Sequence, residues 1–178
     1  WGSVFGSGEI AVILTHMRGR DQTSWFPFAR FIAESGYKVL TFDFRGYGKS
    51  TGIKDTRMDR DLEAAIAYMR AKGAQQVVLI GASMGGTAVI ELASESQVQG
   101  VAALSPPAEF GRINALTAVE SMVIPLLLIV SENDYQYYSD ARKIESAAAA
   151  TQFLVVEGQQ HGTNMIAEHR NEIFANLL

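Results

Sequence analysis

Six short stretches of this chain are apolar almost without a break, at residues 10–14, 38–42, 77–80, 98–104, 125–130 and 152–156. A strand with one wetted face alternates apolar and polar residues, whereas a strand buried on both faces does not. Between these runs lie segments patterned for helices. One opens at Ser24 as N-cap, carries Pro27 in its first turn, sets Trp25, Phe28, Phe31 and Ile32 on one side, and closes at Gly36. A second covers 56–72, with Met58, Leu62, Ile66 and Met69 at helical spacing and Gly73 as its stop. Further helices are expected after residue 84 through about 94, over 108–122 (Phe110, Ile113, Leu116 and Val119 inward), near 137–149, and from Asn164 to the end. Doubly buried strands alternating with helices predict an α/β chain: a mostly parallel, doubly wound sheet of about six strands with helices on both faces. Residues 1–5 read as the remnant of one more strand.

With 178 residues, no linker, repeat or low-complexity segment, residues 1–178 read as a single domain. A hydrophobic content of 48% with 19% charged residues is that of a globular enzyme rather than a disordered chain. A net charge of −4 without a Lys/Arg run argues against nucleic acid or an anionic membrane as partner. The absence of Cys removes disulfides, thiolate catalysis and Cys-ligated zinc together. No apolar run approaches the roughly 20 residues of a membrane span. The chain begins at Trp1 rather than Met, as expected if something upstream was cleaved, trimmed or never built. The compartment is left open for a soluble chain, cytoplasmic or exported after loss of an N-terminal segment.

In open parallel sheets, ligands sit beyond the carboxyl ends of the strands. The chemistry-bearing loops all fall there: His16 to Gly19, Asp43 to Ser50, Ser83, Ser105, Asp134 and His161. The most specific is Val77-Val78-Leu79-Ile80-Gly81-Ala82-Ser83-Met84-Gly85-Gly86. A hydroxyl on a strand-to-helix turn needs a cramped backbone, and so very small neighbours two residues before and after; Gly81 and Gly85 meet that need. Such a turn lifts the Ser83 hydroxyl above the strand end, beside the positive end of a helix dipole.

A serine hydroxyl attacks well only when a base takes its proton. Of three histidines, His169 falls inside the terminal helix and His16 at a strand end, while His161 lies in a polar loop after the last strand, where packing does not ask for an imidazole. His161 is the candidate base. It needs an acceptor to fix its tautomer. Asp134, one strand over on the same edge, is the candidate; Glu132 is the alternative, and Asp140 belongs to the following helix as cap or decoration.

With Ser83, Asp134 and His161 in that chain order, the sequence resembles the α/β-hydrolase family, and within it the small serine esterases and dienelactone-hydrolase-like members with a minimal cap. Asp43-Phe44-Arg45-Gly46-Tyr47-Gly48-Lys49-Ser50 is similar to the D-x-R-G-x-G-x-S turn of many members. The resemblance implies an oxyanion hole built from the Met84 N–H and a second N–H in the loop His16-Met17-Arg18-Gly19: that of Arg18, with Met17 as the alternative. This loop departs from the family's H-G-x by placing Met17 where Gly is usual, and His16 is implied to support it. Arg18 and Arg20 are either contacts for an acidic substrate or solvated loop arginines.

The family's opening antiparallel strand pair has room for one short strand here, so the N-terminal part of the sheet is expected to be reduced. About 19 residues separate Ser105 from Pro125, enough for one helix and no separate lid. Phe110 and Tyr135, with Tyr137 and Tyr138, are candidate substrate-binding residues on the rim or, equally, helix packing. The resemblance implies a serine hydrolase of small soluble carboxylic esters, acting through an acyl-enzyme with no metal or organic cofactor. The alternatives are a thioesterase, peptidase or lactonase on the same machinery, or a ligand-binding member without turnover. The oligomeric state is left open.

Overall fold

Strand β2 (Ile10–Thr15) shows why the sheet is covered twice. Its side chains leave in opposite directions by turns. Val12 and Leu14 join a cluster with Trp25, Phe28, Ile32 and Ile173, while Ala11 and Ile13 join another with Leu62, Ile66, Met69 and Ile90. From Ala11 to Thr15 every residue is fully buried, and each such Leu or Ile contributes about 2 kcal/mol of burial.

The computed structural model describes residues 1–94 and 97–177. The other strands are β1 (Gly2–Phe5), β3 (Lys38–Phe42), β4 (Gln76–Ala82), β5 (Gly100–Leu104), β6 (Glu109–Phe110), β7 (Ile113–Asn114), β8 (Leu126–Ser131) and β9 (Thr151–Val156). Seven form one sheet in the order β1-β3-β2-β4-β5-β8-β9, and β6 and β7 form a separate hairpin. Every pairing in the main sheet is parallel except β1 with β3. The sheet therefore has seven strands rather than about six, the seventh being the short N-terminal one, laid antiparallel on the edge.

The helices are α1 (Phe26–Glu34), α2 (Met58–Ala71), α3 (Met84–Ala93), α4 (Ala115–Glu120), α5 (Tyr135–Ala147) and α6 (Ile166–Leu177). Buried residues of α1 and α6 line one face of the sheet; those of α2, α3, α4 and α5 line the other. Because β4 has a parallel neighbour on each side and helices above and below, the turn that follows it is held from all directions.

Two local expectations are corrected. Ser24 does not cap α1: residues 22–25 form a 3-10 turn capped by Asp21, whose carboxylate accepts the Thr23 N–H at 2.8 Å, and the Ser24 hydroxyl donates to the Asp21 carbonyl. Asp21 wins because a carboxylate is the stronger acceptor at a helix start. Residues 108–122 are not one helix. Gly111, at a φ of +61°, reverses the chain into the β6–β7 hairpin, and the helix begins only at Ala115, capped by Asn114.

Candidate active site

The turn between β4 and α3 is tight enough to exclude side chains. A Cβ on Gly81 would lie 2.2 Å from the Gly85 carbonyl oxygen, and one on Gly85 would lie 2.6 Å from the Thr15 carbonyl oxygen. Ser83, between them, adopts φ +49° and ψ −119°, a conformation costly for any residue with a Cβ. Its N–H donates to the Leu104 carbonyl at 2.8 Å and its own carbonyl accepts the Thr87 N–H at 3.1 Å, so strand and helix grip the serine from both sides. Sequence reasoning passed over Thr15, whose buried hydroxyl donates to the Gly85 carbonyl at 3.1 Å and ties the elbow to β2.

Asp134 lies just before α5, and its carboxylate Oδ2 is 2.8 Å from Nδ1 of His161. With that contact made, the Nδ1–H donates to Asp134 and Nε2 is left with its lone pair. The acid loop is itself tied to the histidine loop: Glu132 N–H donates to the Val156 carbonyl and Asn133 N–H to the Gly158 carbonyl. Glu132, exposed, accepts from Gly158 N–H and Asn133 instead of His161. Asp140 accepts from the Ala108 N–H and pairs with Lys143. His169 is a helix histidine bonded to the Glu157 carbonyl and Glu172.

The residue after the histidine fixes where this pair stands relative to the elbow. A Cβ on Gly162 would be 3.4 Å from that of Ala82 and 2.9 Å from the Met17 sulfur. The histidine loop is thus packed against the residue preceding Ser83. Among the described residues no hydrogen bond joins Ser83 Oγ to the His161 ring.

Met84 occupies the first position of α3, where backbone N–H groups have no partner within the helix. Met17 and Arg18 stand in a turn closed by the Arg20 N–H on the Met17 carbonyl at 3.2 Å. The same carbonyl accepts Nδ1–H of His16 at 3.0 Å, while Nε2 of His16 accepts the Phe44 N–H at 3.1 Å. Burial lowers the pKa of His16 from its ordinary 6.5, so the ring is neutral and its two bonds define one tautomer. The Met17 side chain is buried beneath Gly162 and Thr163, which explains a residue larger than glycine at this point in the loop. The Arg18 guanidinium faces Asp55 at 3.6 Å and lies over the Phe110 ring at 5.7 Å. Asp55 also accepts the Tyr47 phenol, and burial together with that bond pushes the Tyr47 pKa up to about 12. Arg20 is exposed.

The D-x-R-G-x-G-x-S turn is structural in its contacts. Asp43, buried, accepts the N–H groups of Gln22 and Lys49, and Arg45 pairs with Asp61 at 2.6 Å. Of the aromatic rim, Tyr137 packs on the His161 ring with centroids 4.1 Å apart, and Tyr138 turns away to Phe153. Tyr135 is 77% exposed, with its hydroxyl on Asn133. A hollow of about 640 Å³, lined by Val78, Gly100, Leu127 and Thr151, lies at the opposite end of the strands, remote from these residues.

A family model described as alpha/beta hydrolase fold matches residues 10–141. A 2-hydroxy-6-oxononadienedioate/2-hydroxy-6-oxononatrienedioate hydrolase of Klebsiella pneumoniae is 36% identical over 90 residues, a stretch covering 48% of this chain and 31% of that relative. The match thus spans about a third of the curated relative's length. Among solved structures, an alpha-beta serine hydrolase homologue from Coxiella burnetii superposes with a TM-score of 0.84 at 20% identity, covering 99% of this chain and 91% of that one. A monoacylglycerol lipase of Paleococcus ferrophilus superposes with a TM-score of 0.82 at 17% identity, covering 99% and 95%.

Proposed function

The chain belongs to the alpha/beta hydrolase fold family, and from that premise we propose that it is a serine hydrolase of small carboxylic esters. The observation that carries this reading is the 2.8 Å contact between His161 Nδ1 and Asp134 Oδ2, on a loop packed against the elbow that bears Ser83. Ser83 Oγ attacks the ester carbonyl while Nε2 of His161 takes its proton, and Asp134 holds the ring's tautomer and stabilises the imidazolium. The N–H of Met84 and that of Arg18, or of Met17, donate to the developing oxyanion. His161 then protonates the leaving alcohol, giving an acyl-enzyme on Ser83. Water activated by the same nitrogen releases the acid and restores the serine.

A fluorophosphonate probe tests the nucleophile. A mass increase on the Ser83 peptide, absent in Ser83→Ala, is the expected result; an unlabelled Ser83 at every pH from about 6 to 9 refutes the proposal. A second reading is favoured by the dioate substrate for which the Klebsiella pneumoniae relative is named, and by exposed Arg18 and Arg20 on the oxyanion loop: the same machinery acting on an acidic substrate. A faster turnover of a half-ester of a dicarboxylic acid than of its neutral diester selects it.

A further inference from the structure

His161 sits between two peptide units, and each is held by a serine from a different strand end. The Ser131 hydroxyl donates to the Gln160 carbonyl at 2.7 Å. On the other side, the Gly162 N–H donates to Ser105 Oγ at 3.2 Å. Ser131 closes β8 and Ser105 follows β5, and both are fully buried.

Ser105 occupies its place at a cost. Its φ is +48°, in the left-handed region that disfavours a side chain by about 1–2 kcal/mol and that glycine enters freely. Its backbone N–H donates to the Ile129 carbonyl at 2.8 Å, extending the β5–β8 ladder by one residue. A glycine would make the same backbone bond without the strain. What a glycine lacks is the hydroxyl under the histidine loop.

The Asp134 contact sets the rotation of the imidazole but not the position of the residue that carries it. That position is set by the peptides before and after it. We propose that Ser105 and Ser131 are positioning residues that clamp the two peptides flanking His161 and so hold its ring over the elbow. The proposal rests on the reading of His161 as the base. A displacement of about 1 Å in such a group costs on the order of a hundredfold in rate.

The test is Ser105→Gly, which removes the hydroxyl while relieving the backbone, together with Ser131→Ala. With p-nitrophenyl acetate, each is expected to lower kcat about tenfold or more and to change KM by less than about twofold. Thermal midpoints show that both remain folded, and the downfield proton resonance of the His161 Nδ1–H is expected to broaden or vanish in both. A Ser105→Gly chain with the parent's kcat and resonance overturns the proposal and leaves Ser105 as an ordinary turn residue. The two readings fail separately. If fluorophosphonate does not label Ser83 in the parent chain, the esterase reading falls. The resonance still decides the clamp: its loss in the variants supports it and its persistence overturns it.

Discussion

Nδ1 of His161 lies 2.8 Å from Oδ2 of Asp134, across 27 residues of chain and from the loop of an adjacent strand. This contact fixes which ring nitrogen carries the proton. Asp134→Asn keeps the size of the side chain but allows its amide to donate, which favours the opposite tautomer and, on the proposed function, puts an N–H where the base needs a lone pair. The expected loss in kcat is on the order of a thousandfold or more, with KM little changed. Steady-state kinetics checks it, and a loss below about tenfold removes Asp134 from the proposed mechanism.

His16 performs the converse task. Its ring is buried and neutral, with Nδ1–H on Met17 and Nε2 facing the Phe44 N–H. Because burial lowers its folded pKa below the ordinary 6.5, the unfolded chain takes up a proton more readily than the folded one. The contribution to stability is therefore complete above pH 6.5 and is lost as pH falls from there through the lowered folded value. Urea unfolding of the parent and His16→Gln should show the variant less stable by about 1–3 kcal/mol at pH 8, the cost of imperfectly satisfied buried partners. The gap should narrow toward pH 5.5. A gap that stays constant with pH is the contrary outcome.

The strands were legible because unbroken apolar runs have few other uses, and their order along the chain brings the loops to one edge of a parallel sheet. The N-terminal strand was half legible. Residues 2–5 lack the apolar run of the others because the strand lies at an edge, where two of its four residues are exposed and none is fully buried. The segment 108–122 misled because Phe110, Ile113 and Leu116 keep helical spacing, while Gly111 at positive φ turns the chain between them. At the site, the residue types readable in sequence were those with chemistry of their own. The supports Thr15, Ser105 and Ser131 are hydroxyls whose partners lie 29 to 70 residues away, and no local pattern announces such a bond.

Gly85 tests how little room the elbow has. A methyl group there would meet the carbonyl oxygens of Thr15 and His16 at 2.6 and 2.7 Å, backbone atoms locked in or next to a central strand. Gly85→Ala is expected to cost about 3 kcal/mol or more, through overpacking and a displaced turn. Gly100→Ala is the control, since its Cβ meets only the Pro125 carbonyl, at 3.8 Å. Removing a glycine at that position should change stability by less than about 1 kcal/mol. Equal thermal midpoints for the two variants would mean that the elbow can relax.

Acyl-chain length follows from what stands between β5 and β8. The connection holds only the two-residue strands β6 and β7 and the six-residue α4, and α4 is spent on packing, with Ala115, Ala118 and Val119 buried in the core. That leaves Phe110, half-buried under the Arg18 guanidinium, as a large apolar group of this connection in contact with the loop that carries Met17 and Arg18. A long acyl chain gains about 0.8 kcal/mol for each methylene it buries, and only where a covering surface exists. On the proposed function, such a site stabilises the first carbons of the acyl group and leaves the rest in water. The ratio kcat/KM should therefore be highest for acetate and butyrate p-nitrophenyl esters and should not rise with further length. A steady increase toward palmitate, measured below the concentration at which that ester forms micelles, would show an apolar channel that these elements do not supply.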